Sequence, residues 1–203
     1  MTSQTIVYAD CRKYTYPDGF VCITDPPWTA KSAPVEGCER AAELWAEVIK
    51  AMGQRCKRLV VHLSCDTDPR PFLGPIGLPF VRYFHLRYDV PRYRGRILNG
   101  SDIAYMFGDL PQSRLGLRVL PGETRAVSNP YVYHPNHPCP RSIAHVQWLV
   151  DKCTDPNDIV IDPFAGSGTT IVACKNLNRS AIGIEINPDY CREAELRLQQ
   201  DVI

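Results

Sequence analysis

Apolar positions along the chain fall into two rhythms that take turns. Short, partly β-branched runs read as buried strands: Gly19-Phe20-Val21-Cys22-Ile23-Thr24, Arg58–Leu63, Asp158-Ile159-Val160-Ile161 and Ser180-Ala181-Ile182-Gly183-Ile184. Between residues 39 and 52, Leu44, Trp45, Val48, Ile49 and Met52 take the spacing of a helix with one buried face. Pro140 suits the first turn of a helix that carries Ile143, Val146 and Val150 inward. A further helical pattern runs to Asn178, and Asn187-Pro188-Asp189 supplies an N-cap, a first-turn proline and an acid against the helix dipole. Val81–Leu86 and Asp102–Phe107 read as a strand pair near one sheet edge. Residues 109–136, broken by Pro111, Gly116, Pro121, Gly122 and Pro130, read as an irregular excursion. The alternation predicts an α/β sheet sandwiched by helices, with ligands at the carboxyl ends of central strands.

With 203 residues, 44% of them apolar, the chain has material for one core, and residues 1–203 are expected to form a single domain. A net charge of +1 announces no nucleic-acid partner, so any such footprint must be local. Residues 82–96 supply one: Arg82, Arg87, Arg92, Arg94 and Arg96 interleave with Tyr83, Phe84, Tyr88 and Tyr93. Cations suit phosphates and rings suit unstacked bases, although a solvated strand with core aromatics would look similar. Nine cysteines, an odd number with no Cys-x-x-Cys, point to scattered free thiols in a reducing cytoplasm. The polar N-terminus does not look like a signal peptide. No apolar run approaches the roughly 20 residues of a membrane span.

The candidate chemistry sits at two strand ends. Asp25-Pro26-Pro27-Trp28 closes the first run. Neither proline donates an N–H and both fix φ, so the turn is stiff and shows bare carbonyls beside a carboxylate and a flat ring. That set can accept the N–H protons of an exocyclic amine and stack the heterocycle that carries it. Asp162-Pro163-Phe164-Ala165-Gly166-Ser167-Gly168-Thr169-Thr170 follows the third run and leads into a helix. Its glycines permit close approach to the backbone over unpaired helix N–H groups. With no third fingerprint glycine and no Gly-Lys-Ser/Thr, neither a nicotinamide nor a P-loop reading fits. Glu185 ends the next strand 17 residues past Gly168, close to where a ribose-hydroxyl acceptor stands in nucleotide-binding α/β units.

Together these residues resemble the S-adenosylmethionine-dependent amino-methyltransferases, which methylate adenine N6 or cytosine N4 in DNA. Tyr8-Ala9-Asp10-Cys11 is similar to the family's Gly-Asp-Cys element. Ser101-Asp102-Ile103-Ala104-Tyr105-Met106-Phe107-Gly108 resembles its Glu-x-Ile-Leu-x-Phe-Gly strand, and His137-Pro138-Cys139-Pro140-Arg141 its His-Pro-x-x-Lys-Pro element. The order, amino-acceptor motif first and cofactor loop last, is that of the permuted β group. The resemblance implies a circularly permuted Rossmann-like fold with a mixed, mostly parallel seven-stranded sheet. It also implies S-adenosylmethionine as cofactor, no metal, and DNA bound with the target base flipped or single-stranded. Catalysis is expected of Asp25, Pro26, Pro27 and Trp28. Cofactor contacts are expected of Asp10, Cys11, Asp25, Arg141, Asp162, Phe164, Ala165, Gly166, Ser167, Gly168, Thr169, Thr170, Glu185 and Ile186, and DNA contacts of the five arginines above. The chain departs from the family in two places: the His-Pro element is short and lacks its Lys, and little room remains for a target-recognition domain. Residues 109–136 are the expected minimal substitute, with short or relaxed specificity, and a homodimer would extend the site by symmetry. Asp at the first motif position leans towards adenine. Cytosine N4, an RNA or nucleotide substrate, and a non-catalytic binding subunit stay open as alternatives. A restriction-modification role in a bacterial or phage-infected cytoplasm is the expected setting.

Overall fold

The computed structural model describes residues 2–27, 40–65, 67–94, 96–112, 120–126 and 141–200. Its strands are β1 (Gln4–Tyr8), β2 (Phe20–Thr24), β3 (Cys56–Ser64), β4 (Phe80–Arg94), β5 (Ile97–Gly108), β6 (Glu123–Ala126), β7 (Ile159–Asp162) and β8 (Ser180–Glu185). Helices are α1 (Ala41–Met52), the one-turn α2 (Arg70–Leu73), α3 (Ile143–Cys153), α4 (Thr169–Asn176) and α5 (Pro188–Gln199). The strands form one sheet in the order β1-β8-β7-β2-β3-β5-β4-β6. Pairing is parallel from β1 through β3, antiparallel for β3·β5 and β5·β4, and parallel again for β4·β6.

Alternation along β2 explains why it lies centrally. Phe20 and Cys22 join the core under α1, while Val21 and Ile23 join the one under α3 and α4. Every residue of β2 is buried, as a strand covered on both faces requires. On the first face Trp45, Val48 and Met52 of α1 pack inward, and the Trp45 indole N–H donates to the Phe72 carbonyl at 2.6 Å. On the second, Val146, Leu149 and Val150 of α3 meet Ile171 and Cys174 of α4.

Several sequence expectations need correction. Among the described residues the sheet has eight strands rather than seven. One of them, β6, lies inside the stretch read as irregular, where a four-residue run flanked by prolines and glycines gives almost no periodic signal. The edge strand β1 has no clean alternation and was not anticipated. The helix expected to open at Pro140 begins at Ile143 after an extended Ser142, and Pro140 lies outside the described residues. Helix α4 stops at Asn176, because Asn178 turns to φ 54° and its N–H bonds back to the Lys175 carbonyl. The last helix starts as expected: Asn187 Oδ1 accepts from the Asp189 and Tyr190 N–H groups, with Pro188 in the first turn. Among the described residues no helix is long and apolar enough to cross a membrane.

Candidate active site

Strands β2 and β7 run side by side, Val21 beside Val160 and Cys22 beside Ile161. Their carboxyl ends therefore emerge together although the two strands lie far apart in the chain, and crossovers leave in both directions from this point. Asp162 ties the two ends. Its Oδ1 accepts from the Thr24 hydroxyl at 2.7 Å and the Phe164 N–H at 3.1 Å. Burial pushes its carboxyl up to about 6, against the pull of the Thr170 and Thr24 hydroxyls. The expected cofactor ligand Asp162 thus faces inward and fixes the loop to the residue before Asp25.

The loop itself is braced from behind. Gly166 and Gly168 take φ of 52° and 81°. A Cβ on Gly168 would stand 2.7 Å from that of Ala194 in α5, so this glycine serves helix packing. Ser167, Thr169 and Thr170 are buried, and all three line the cleft that holds Asp25. Arg197 Nη1 donates to the Ser167 carbonyl at 2.6 Å, the Ser167 hydroxyl at 3.0 Å and the Thr169 hydroxyl at 3.2 Å. Glu185, at the carboxyl end of β8, accepts from Gly166 N–H on Oε2 at 2.8 Å and from Asn187 N–H on Oε1 at 2.7 Å. Each oxygen keeps a second lone pair for a ligand. Ile186 beside it is 62% exposed. At the end of β1, Asp10 accepts four bonds from Arg12, whose side chain holds the carboxyl below its ordinary range. Cys11 is buried, its thiol pushed up to about 12 by burial, and Tyr16 donates to its carbonyl.

Asp25 has a partner that spacing did not reveal. Arg141 Nε donates to Asp25 Oδ2 at 2.6 Å and its Nη2 to Oδ1 at 2.9 Å, a bidentate pair. The same guanidinium donates through Nη1 to Asp102 Oδ2 at 3.0 Å. That oxygen also accepts from the Tyr88 hydroxyl at 2.6 Å and lies 3.1 Å from His62 Nε2. Burial alone would raise Asp102, but the Arg141 charge and the His62 and Tyr88 bonds outweigh it and hold the carboxyl well below its usual range. With Asp102 ionised, His62 Nε2 must be the donor. Arg141, Asp25 and His62 line one cleft with Thr24, Phe164 and Gly166, so the amino-acceptor motif and the glycine loop share a single opening.

Sequence reasoning missed His62 and Arg197, gave Asp102 no role at the site, and placed Tyr88 only among the rings of the 82–96 strip. The available signal was a His and an Asp at positions inside otherwise apolar strands, since such groups are seldom buried unless paired. Trp28 and residues 137–140 lie outside the described residues. Of the arginines expected at DNA, Arg82 donates to the Leu120 carbonyl and covers the Phe84 ring, so it holds the excursion to the sheet. Arg87 is exposed and pairs with Glu123 at 3.3 Å. Arg96 is exposed near the tip of the β4–β5 hairpin, and the side chains of Arg92 and Arg94 are not described. Seven described cysteines are free thiols.

Residues 114–196 match the family model described as DNA methylase. The chain is 43% identical over 65 residues to the Type II methyltransferase M.HpaI of Haemophilus parainfluenzae, covering 32% of this chain and 21% of that protein. It is 40% identical over 86 residues to the Type II methyltransferase M.BglII of Bacillus subtilis, covering 41% and 23%. The chain thus spans less than a quarter of the length of these curated relatives. Its whole fold is similar to the crystal structure of M1.HpyAVI in complex with SAM, at a TM-score of 0.73 and 25% identity, covering 98% of this chain and all of that one. PvuII DNA methyltransferase, described as cytosine-N4-specific, gives 0.73 at 16% identity, covering 100% and 89%. In fold along nearly its whole length, and in sequence over residues 114–196, the chain matches the DNA amino-methyltransferases, the family of N6-adenine and N4-cytosine methylases.

Proposed function

We propose that the protein is a DNA amino-methyltransferase that uses S-adenosylmethionine and methylates adenine at N6. The observation that carries the reading is the shared cleft: an ionic acceptor, Asp25, and a helix-capping glycine loop open together from adjacent parallel strands. The cofactor fits what is present. Glu185 offers two outward lone pairs for a ribose diol, held in place by two backbone N–H groups. Ile186 and Phe164 supply apolar surface for its adenine, and the N-terminus of α4 stands behind the loop. Once bound, the cofactor supplies an electrophilic sulfonium methyl group.

The protein's own residues act on the amine. An exocyclic amine conjugated to its ring is a poor nucleophile because its lone pair is delocalised. Asp25 accepts one N–H and the Pro26 carbonyl the other, which favours a pyramidal nitrogen with its lone pair turned outward. The carboxylate then stabilises positive charge as it develops on that nitrogen. Arg141 uses one lone-pair position on each Asp25 oxygen, so acceptor capacity for the amine remains. Trp28 takes the stacking lost by an extruded base. Arg87 and Arg96 on the β4–β5 hairpin give sequence-blind, salt-sensitive affinity, and the 109–136 region reads a short or relaxed site. Such an enzyme works on cytoplasmic DNA, as the modifying half of a restriction-modification pair.

Adenine is favoured by Asp at the first position of the Asp-Pro-Pro-Trp motif. Cytosine N4 is the second reading, favoured by the likeness in fold to a cytosine-N4 enzyme. Incubating the protein with plasmid DNA and methyl-tritiated cofactor, then digesting to nucleosides, tests both. Label in N6-methyl-2′-deoxyadenosine supports the proposal, label in N4-methyl-2′-deoxycytidine replaces it with the second reading, and no label overturns both.

A further inference from the structure

The Asp102 cluster does something the amine chemistry does not require. Asp102 is 3% exposed on an inner strand, and burying a carboxylate there costs several kcal/mol unless donors surround it. One oxygen, Oδ2, takes all three bonds, from β3 (His62), from β4 (Tyr88) and from Arg141 just before α3. Two of these partners, His62 and Arg141, line the cleft, and Arg141 is the one that bonds Asp25. Arg141 is a long side chain with several rotatable bonds, and Asp25, at 27% side-chain exposure, is a half-open anchor that would hold it loosely. Held at Nη1 by a buried charge, the guanidinium presents Nε and Nη2 side by side to the Asp25 carboxylate, and the three bonds together define its plane.

We infer that Asp102 is a positioning residue: it locks Arg141, and Arg141 in turn sets the rotamer and plane of the Asp25 carboxylate that receives the target amine. The inference rests on the proposed methyl transfer and adds two residues to it. His62 and Tyr88 complete the anchor by saturating the same oxygen. Arg141 stands where the resembling family has a Lys, and a lysine ammonium could neutralise Asp25 but could not fix its plane.

Single-turnover methyl transfer to DNA at saturating cofactor, with calorimetry of cofactor binding, tests this. Asp102→Asn keeps size and removes charge. It should slow the single-turnover rate roughly 10- to 100-fold, the cost of a misplaced reacting group, while cofactor affinity stays within about twofold of wild type. In an Arg141→Gln background, adding Asp102→Asn should cost nothing further, because the two act through one path. A wild-type rate in Asp102→Asn overturns the inference. So do multiplicative losses in the double variant, and so does a loss confined to cofactor affinity. If Asp102→Asn does not fold, Tyr88→Phe removes one donor from the same oxygen at a half-exposed site. A several-fold slower rate then supports the inference and an unchanged rate overturns it. Wild-type protein that methylates nothing defeats the proposed function itself, and this inference with it, which separates the two failures.

Discussion

Removing the Glu185 carboxylate tests two roles, the loop clip seen in the structure and the proposed contact to the cofactor. In the free protein it bridges the Gly166 and Asn187 N–H groups, clipping the glycine loop to the start of α5. Hydrogen bonds to a charged group are worth about 1.5–3 kcal/mol each when buried. Glu185 is only half-buried and water can replace it, so Glu185→Ala should cost the free protein roughly 1–2 kcal/mol in total. Cofactor loses more. Its ribose hydroxyls would face a site with no acceptor, a penalty of about 1.5–3 kcal/mol, or about a 10- to 150-fold rise in Kd. Glu185→Gln keeps one oxygen for one of the two N–H groups and sets its own NH2 against the other, so its affinity should fall between those of wild type and Glu185→Ala. Calorimetric titration of S-adenosylmethionine, run well below each variant's melting temperature, reads the affinity, and thermal melts without cofactor read the clip. An unchanged Kd for Glu185→Ala would refute the assignment of Glu185 to the cofactor.

Asp25→Ala should reduce methyl transfer at least about 100-fold with cofactor affinity largely kept, as read by tritium incorporation and calorimetry; near-wild-type turnover would exclude the amine-acceptor role. Gly168→Ala places a side chain at φ 81° against Ala194 and should destabilise the fold by roughly 2–3 kcal/mol in urea unfolding. Asp162, held near 6 when folded against an ordinary value of 3.8, binds its proton more tightly in the native state. Its contribution is therefore fullest below about pH 4 and is lost as pH rises through about 6. Relative to Asp162→Asn, wild type should gain stability on the order of 3 kcal/mol as pH falls from 7 to 4. A pH-independent difference between the two in chemical denaturation would count against the buried-charge account.

Local sequence was enough for whatever depends on neighbours along the chain. The β2, β3, β7 and β8 strands, the amphipathic α1, the Asn187 cap and the two strand-end motifs follow from side-chain period, proline and glycine geometry, and capping chemistry, all of which act within a few residues. The meeting of Asp25 with the glycine loop is decided by the parallel β2·β7 pairing, which brings two strand ends far apart in the chain together. What spacing could not carry was decided in three dimensions. Arg141 and Asp25 lie 116 positions apart, and Arg141 and Asp102 lie 39 apart. No periodicity links a guanidinium to two carboxylates over such distances, because packing of separate strands and α3 alone selects the pair. Asp162 turning inward, Gly168 yielding to Ala194 and Arg197 bracing the loop share that origin, each being a contact with an element that arrives from elsewhere in the chain. The short strand β6 belongs here too, since four residues gain strand geometry only from the β4 edge that pairs with them.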